Sequence, residues 1–142
     1  MIRAATAGDA EAVLALWRAA GSAPTVTDDA DSVRALVAHD PEALLVAEVD
    51  GAVVGSLIAA WDGWRGHLYR MAVHPDHRRQ GIARALASEG TRRLVARGCR
   101  RIDAIVLREE ADARAFWSAA GFHEQSDVTR WVEGGGVASE LC

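Results

Sequence analysis

The chain has 142 residues and a mass of 15.2 kDa, which fits one domain of about 100–150 residues. Hydrophobic residues make up 50% and charged residues 25%, a mix that argues against a disordered or fibrous protein, and no apolar run approaches the ~20 residues that span a bilayer. Two cysteines, Cys99 and Cys142, are too few for a disulfide framework, and residues 1–25 lack a signal-peptide pattern. We therefore expect a cytoplasmic protein with no membrane partner.

The net charge of −4 conceals an asymmetry along the chain. Residues 1–62 carry ten acids and three arginines, whereas residues 78–101 carry eight arginines and one acid. A basic block inside an acidic chain favours a site for a small polyanion, because nucleic-acid binding more often gives a basic pI to the whole domain. We therefore expect no nucleic-acid partner. DNA binding by the arginine block is the alternative, and it would be salt-dependent.

The first part of the chain predicts one strand and two helices. Residues 1–5 form the expected strand. Thr6 and Asp9 resemble a capping box before a helix that ends at Gly21. A second helix is expected after Asp28, which can cap it.

The middle of the chain predicts three strands. Two apolar runs, 43–49 and 52–61, are joined by Asp50 and Gly51. An Asp-Gly dipeptide between such runs is the strongest short signal for a β-hairpin. The next strand is expected at about 67–74.

The remaining elements alternate between helix and strand. A long helix is predicted at about 81–97, a buried strand at 102–107, a helix at 111–120, and one or two short strands within 122–132. The order β-α-α-β-β-β-α-β-α-β(β) predicts an α/β (α+β) domain around one mixed sheet.

The stretch 73–84 carries the most specific chemical signal in the sequence. A strand ends, a proline turn follows, and a helix begins at Gly81. The start of a helix has free N–H groups and partial positive charge, and the small residues Gly81 and Ala83 let an anion reach the backbone. Three arginines add charge: Arg78, Arg79 and Arg84. This pattern predicts a pyrophosphate site, although it is neither a P-loop nor a dinucleotide fingerprint. The alternative is an ordinary helix start with solvated arginines.

The segment R-x-x-G-x-A at 78–83 resembles the R/Q-x-x-G-x-G/A signature of the GNAT family of N-acetyltransferases. Residues 71–75 (MAVHP) look like the fourth strand of that family, and residues 115–122 (AFWSAAGF) look like the end of its A-x-x-Y-x-x-x-G-F helix. The resemblance covers nearly the whole chain. In residues 62–66 (DGWRG) and the strand after them, the sequence is similar to small bacterial acetyltransferases near the ribosomal-protein alanine N-acetyltransferases.

This resemblance implies a fold and an activity. The implied fold is a single N-acetyltransferase domain over residues 1–133, with a mixed sheet splayed between strands 4 and 5, about four flanking helices, and a flexible C-terminal tail at 134–142. The implied activity moves the acetyl group of acetyl-CoA to a primary amine by direct attack in a ternary complex. No metal and no covalent intermediate are implied, so Cys99 is not needed as a nucleophile. The resemblance does not decide whether the acceptor is a small amine or amino acid or a protein N-terminus. It also does not decide whether the protein forms a homodimer.

The resemblance also implies which residues bind acetyl-CoA. The backbone of 79–84 would hold the pyrophosphate, residues 71–73 would pair with the pantetheine arm, and an N–H near Ala72 or Val73 would stabilise the oxyanion. The cofactor-binding residues carried over are Met71, Ala72, Val73, Arg78, Arg79, Gln80, Gly81, Ile82, Ala83, Arg84, Glu110 and Trp117. Two of them depart from the family pattern, because Glu110 replaces a frequent asparagine and Trp117 replaces the tyrosine that often protonates the leaving thiolate.

The departure at Trp117 leaves the proton transfers unassigned, since an indole N–H is a very poor acid. Tyr69 is a candidate substitute acid, and the alternative is release of a stabilised thiolate, feasible for a thiol pKa near ~8.5. His67 is the candidate general base, at the position where a branch of the family has a glutamate, and an imidazole titrates in the right range. The alternative is a polar residue at a strand start. His74 and His77 lie on a turn, and we expect no metal there.

A loop before the fourth strand contains an unusual cluster of candidate acceptor-binding residues: Trp61, Asp62, Trp64 and Arg65. Two tryptophans in a polar loop are costly to expose, so they are expected to wall a site, with Asp62 facing a cationic amine. The alternative is that both cover the edge of the core. Trp17 is expected in the core, although this region lines the acceptor groove in the family. The competing function is a non-catalytic acyl-CoA-binding module.

Overall fold

The computed structural model describes residues 1–22 and 24–133, and within them five strands form one sheet in the order β1-β2-β3-β4-β5. The strands are β1 (Ile2–Ala4), β2 (Leu44–Val49), β3 (Ala52–Trp61), β4 (Gly66–Val73) and β5 (Ile102–Ala104). The helices are α1 (Ala10–Ala19), α2 (Ala30–His39), α3 (Ile82–Ala96) and α4 (Ala111–Ala119), with 3-10 turns at Ala7–Asp9 and Pro75–His77. No helix in this part of the chain has the length and apolar character needed to cross a bilayer.

The sheet is mixed, as predicted. Strands β1 to β4 pair antiparallel, and β4 pairs with β5 in parallel over only three residues, ending at Leu68 with Ala104. A last backbone hydrogen bond runs from the Ile105 N–H to the Leu68 carbonyl, at 2.9 Å. Beyond Leu68, β4 continues to Val73 without pairing to β5. The predicted splay between these two strands is therefore confirmed.

The two faces of the sheet support two core clusters. Alternation along β2 sends Leu44 and Val46 to the face covered by α1 and α2, and Leu45 and Ala47 to the face covered by α3 and α4. Gly55 lets α3 lie close to the sheet, because a Cβ there would be 2.8 Å from Ile82 Cγ2 and 3.1 Å from Leu86 Cδ1. The glycine thus positions the start of α3 against β3.

Three local predictions were wrong in detail. The cap of α2 is Asp29, which accepts a 2.7 Å hydrogen bond from the Ser32 N–H, because Asp28 forms an ion pair with Arg70 instead. The strand predicted at 102–107 ends at Ala104, since β4 has diverged and offers no partner.

Residues 122–132, which lie within the described part of the chain, contain no strand. Trp131 within this segment is 93% exposed. The predicted tail at 134–142 lies outside the described residues.

Candidate active site

A β-bulge shapes the centre of β4. Between the pairs Ser56↔Ala72 and Ile58↔Tyr69, β3 has one residue and β4 has two. Arg70 adopts the left-handed conformation there, with φ 56°. Consecutive residues of a regular strand point to opposite faces, but the bulge brings the side chains of Tyr69 and Arg70 to the same face, towards α1 and α2.

These two side chains line a cavity of about 250 Å³, called here the β4 cavity. Its other walls come from α1, α2, β3 and the segment before α2, and include Trp17, Thr27, Asp28, Ser32, Val33, Leu36 and Ile58. The cavity combines apolar walls with an ion pair and hydroxyl groups. This is the composition of a site for a small polar molecule that carries an apolar part.

Arg70 is fixed on several sides within this cavity. Its Nη2 donates to the Thr25 hydroxyl at 3.2 Å and to the carboxylate of Asp28. Its Cζ lies 4.4 Å from the centre of the Trp17 ring, a cation–π contact. Its Nη1 is buried and has no hydrogen-bond partner among the residues that the structure describes. The guanidinium is therefore held rigidly while one of its nitrogens stays unused.

The predicted pyrophosphate site, residues 78–84, lies at the start of α3. Gly81 is the N-cap, with φ 80°, and the space where its Cβ would stand is open to at least 4 Å. The cap makes no side-chain hydrogen bond, and the first turn of α3 holds no acid. In the described part of the chain, no side chain accepts a hydrogen bond from the first N–H groups of α3. Because a helix start carries partial positive charge, cations beside it are unfavourable unless an anion binds there.

The arginines of the basic block divide into paired and unpaired ones. Towards the end of α3, Arg92 and Arg93 pair with Glu89, and Arg97 pairs with Asp40 at 2.9 Å. Arg79 and Arg84 at the beginning of α3, and Arg100 and Arg101 after its end, have no ion pair with any residue that the structure describes. Arg79 and Arg84 therefore supply positive charge at the start of α3 that no described acid neutralises.

Arg78 has a different environment from its neighbour Arg79. Its Nε donates to the Val73 carbonyl at 3.3 Å, and its Nη2 donates to the Ala20 carbonyl at 3.4 Å. It thus joins the end of β4 to the end of α1. The sequence motif placed Arg78 among the cofactor ligands, and its guanidinium makes these two backbone contacts in the structure.

Met71, Ala72 and Val73 lie on the part of β4 that faces the gap towards β5. Without a neighbouring strand, this edge has backbone groups that an extended ligand can pair with, as an added strand would. A second cavity of about 460 Å³ lies between α3 and α4, and its lining includes Arg84, Ser88, Thr91, Phe116 and Phe122. The gap, the start of α3 and this second cavity are all suited to parts of one long anionic ligand.

His67 lies between two carboxylates. Its Nδ1 is 3.0 Å from Asp103 Oδ1, and its Nε2 is 3.1 Å from Asp62 Oδ2. Both ring nitrogens can donate to carboxylates only when the imidazole is protonated. The hydrogen bond with Asp62, followed by that with Asp103, raises the pKa of His67 above its ordinary 6.5. In this arrangement neither nitrogen has a lone pair free to accept a proton.

Asp62 organises the loop from Trp61 to Arg65. Its Oδ1 accepts hydrogen bonds from the N–H groups of Trp64 at 2.8 Å and Arg65 at 2.7 Å. These bonds, together with His67, lower the pKa of Asp62 to about 2. The carboxylate predicted to face an amine is therefore already used within the protein.

The two tryptophans of this loop differ in burial. Trp61 packs partly against the core cluster under α3, as the core alternative predicted for it. Trp64 is 71% exposed, and the Arg65 guanidinium lies 4.1 Å from its ring centre. Trp64 is thus free to contact a ligand above the loop.

The two residues that differ from the family motif, Trp117 and Glu110, lie in different environments. Trp117 is only 5% exposed and packs edge-on between Phe116 and Phe122, with ring centres 5.1 and 5.0 Å away. Glu110 is the exposed N-cap of α4 and makes no side-chain capping bond. The structure thus gives Trp117 a packing role, while a contact between either residue and a cofactor stays a prediction.

The remaining residues that the sequence analysis considered are Tyr69, His74 and His77. Burial raises the pKa of the Tyr69 phenol above 10, so it stays neutral and keeps a proton to donate. His74 Nδ1 accepts a 3.1 Å hydrogen bond from the Asp76 N–H. Within residues 1–22 and 24–133, no three His, Cys, Asp or Glu side chains cluster as metal ligands.

Sequence reasoning missed the residues that build the β4 cavity around Arg70. Thr25 and Asp28 are 45 and 42 residues away from Arg70, so no local motif joins them. A bulge at a non-glycine residue also leaves no mark in an alternating strand pattern.

Comparison with known proteins agrees with this architecture. Residues 10–122 match the Acetyltransferase (GNAT) family. An acetyltransferase from Yersinia enterocolitica is 40% identical over 126 residues, which are 89% of this chain and 85% of that protein. The PaiA N-acetyltransferase of Thermoplasma acidophilum, solved in complex with coenzyme A, has a TM-score of 0.78 and 15% identity, covering 88% of this chain and 90% of that one. The ribosomal-protein-alanine N-acetyltransferase of Brucella melitensis biovar Abortus 2308 has a TM-score of 0.69 and 24% identity, covering 94% and 98%.

Proposed function

The chain belongs to the GNAT family of acetyltransferases, and on this premise we propose that it transfers the acetyl group of acetyl-CoA to a primary amine by direct attack in a ternary complex. The observation that carries the proposal is the open edge of β4 after Leu68, which lies before a helix start with unpaired cations. An extended thioester with a pyrophosphate at one end suits both features. We further propose that the protein acts in the cytoplasm; a homodimer stays a prediction.

The pyrophosphate is proposed to bind residues 79–84. The free N–H groups of the first turn of α3 donate to its oxygens, and Arg79 and Arg84 balance its charge. Gly81 matters here because its missing side chain leaves the approach open. Gln80, Ile82 and Ala83 belong to the same backbone segment and contribute through their N–H groups.

The pantetheine arm is proposed to pair with Met71, Ala72 and Val73 along the gap. An N–H group near Ala72 or Val73 then donates to the thioester oxygen. Negative charge develops on this oxygen as the amine attacks, so a fixed donor stabilises the transition state more than the ground state. The new bond joins the amine nitrogen to the acetyl carbon, and the carbon–sulfur bond breaks.

The amine must lose a proton and the thiolate must gain one. His67 is the proposed base, which requires that Asp62 release Nε2 so that this nitrogen can accept the proton. Asp103 on Nδ1 would hold the ring in place during this change. Tyr69 is the proposed acid, since its neutral phenol lines the β4 cavity on the same strand.

The loop from Trp61 to Arg65 is proposed to contact the acceptor from outside. The exposed Trp64 face, stacked with Arg65, supports this role better than Asp62 does, because the Asp62 carboxylate is occupied. The loop leads directly into β4 and so lies at the beginning of the proposed catalytic strand.

Two measurements test the proposal. Calorimetry with acetyl-CoA asks whether the protein binds the donor, and release of the coenzyme A thiol across a panel of amines asks whether it transfers the acetyl group. We expect binding and acceptor-dependent thiol release above background hydrolysis. Binding without release on any amine would favour the non-catalytic acyl-CoA-binding module, which the buried Trp117 in place of tyrosine supports.

A further inference from the structure

We propose that Arg70 binds the carboxylate of the acceptor, so that the acceptor is an amine that also carries a carboxylate and has the size of a single amino acid. The inference rests on the proposed function, because it concerns the acceptor of that reaction. It places the acceptor in the β4 cavity, with its carboxylate at Arg70 and its apolar part against the walls from α2 and β3.

The first support is the unused nitrogen of Arg70. Nη2 has two partners, whereas Nη1 is buried and has none within residues 1–22 and 24–133. A charged N–H group without a partner is costly inside a protein, and it persists where the surrounding structure fixes it. Because neighbouring atoms cover Nη1, a ligand oxygen in the cavity must displace them to supply the missing acceptor. A carboxylate is the best match, since its two oxygens complement the planar guanidinium.

The second support is the way the fold presents Arg70. The left-handed backbone at φ 56° turns its side chain to the cavity face, next to that of Tyr69. Trp17 below the guanidinium and Asp28 beside it fix its plane. A strained backbone and a rigid cation together indicate pre-organisation for a ligand, which a structural ion pair alone would not require.

The third support is the position of the cavity relative to the proposed thioester site. Arg70 precedes Met71, Ala72 and Val73, the proposed pantetheine residues, on the same strand. A molecule anchored at Arg70 would therefore need to reach only a short distance along β4 for its amine to meet the thioester. A volume of about 250 Å³ holds one amino acid and excludes a folded chain.

The side chain of the acceptor is expected to be apolar. Val33, Leu36 and Ile58 give the cavity apolar walls. L-Leucine is therefore the probe, with L-leucinamide and 3-methylbutylamine as partners that keep the amine and the apolar part but lack the carboxylate. Leucinamide also stands for the first residue of a peptide, which would be the acceptor if the protein acted on protein N-termini.

The test is binding of the three probes to the coenzyme A-saturated protein by calorimetry. We expect leucine to bind at least tenfold more tightly than either partner. Arg70→Gln should bring the acid-to-amide ratio to within twofold, because it removes both the charge and the planar fork. Arg70→Lys keeps the charge without the fork, so its ratio should lie between those of Arg70→Gln and the wild-type protein. Arg34→Gln, which removes an arginine of α2 with exposed ion pairs, is the matched control and should keep the ratio.

Equal binding of leucine and leucinamide to the wild-type protein, or no binding of leucine, would overturn the inference, whatever the variants do. A ratio that survives in folded Arg70→Gln protein would overturn it as well. These results are separate from the fate of the proposed function, which depends on acetyl-CoA binding and thiol release. A carboxylate preference in binding without any acetylated product would support a carboxylate site at Arg70, but it would contradict the proposed reaction and with it the role of the bound molecule as acceptor.

Discussion

The indole N–H of Trp17 donates to the hydroxyl of Ser56 at 2.9 Å in the interior of the protein. Ser56 is 0% exposed and lies on β3 opposite the bulge of β4. Its hydroxyl donates in turn to the Arg70 carbonyl at 3.2 Å. A buried polar chain thus connects α1 to the residue that the strand holds in a left-handed conformation, and it fixes the Trp17 ring under the Arg70 guanidinium.

We expect Ser56→Ala to lower the free energy of unfolding by about 1–3 kcal/mol, because the Trp17 N–H is then left without a partner in the core. Urea denaturation of Ser56→Ala, Trp17→Phe and the double variant measures this. The double variant should lose less than the sum of the single losses, since removing either group ends the same hydrogen bond. Strictly additive losses would show that the two side chains act independently.

Gly81 is the test of the pyrophosphate site. We expect Gly81→Val to weaken acetyl-CoA binding at least tenfold, or ~1.4 kcal/mol, because the side chain enters open space that the anion needs. Gly98 is a matched control, since it follows the other end of α3, has φ 97° and also faces open space. Gly98→Val carries the same backbone strain without touching the proposed site. Equal loss of affinity in both variants would attribute the effect to strain in α3.

Local signals predicted much of this structure. The Asp-Gly turn between β2 and β3, the apolar period of α1, and the glycine start of α3 each depend on residues close together in sequence. The extent of β5 depends instead on the departure of β4, which no pattern within 102–107 reveals. Asp29 caps α2 in place of the predicted Asp28, because Asp28 pairs with Arg70, 42 residues later.

The same distinction between local and distant contacts decides which features of the site could be predicted. The anion-binding stretch could be predicted because one helix start holds all its parts. The partners of His67 could not, since Asp103 comes from β5 and its pairing depends on the parallel register of His67 with that residue. An isolated histidine suggests a base, whereas two carboxylates around it favour the protonated ring.

The pH dependence follows from that environment. If His67 is the base, log kcat/KM should rise with pH through a pKa above 6.5, because Asp62 and Asp103 stabilise the imidazolium. Asp62→Asn and Asp103→Asn should each move this limb to lower pH, and Asp62→Asn should move it further because that hydrogen bond is the larger cause. A limb that stays in place in His67→Gln protein would assign it to another group or to the amine.

The same ion pairs predict a stability effect that does not require activity. A group whose pKa is raised in the folded state contributes its full stability below its unfolded pKa, here about 6.5, and loses it as the pH rises through the folded value. The wild-type protein should therefore lose stability over this range relative to His67→Gln. Parallel stability profiles for the two proteins, measured by urea denaturation at several pH values, would contradict the ion pairing of His67.

The last prediction concerns Trp64 and the outer part of the acceptor site. Because Trp64 is 71% exposed, Trp64→Ala should leave the melting temperature nearly unchanged, unlike truncation of a core tryptophan, which costs ~3–5 kcal/mol. If the loop contacts the acceptor, the acceptor KM should rise while acetyl-CoA affinity stays within about twofold, because only binding of one substrate is lost. Asp62→Asn is the less specific variant, since it also releases the Arg65 N–H and His67. An unchanged acceptor KM in stable Trp64→Ala protein would remove the loop from the site and leave the β4 cavity as the place where the acceptor binds.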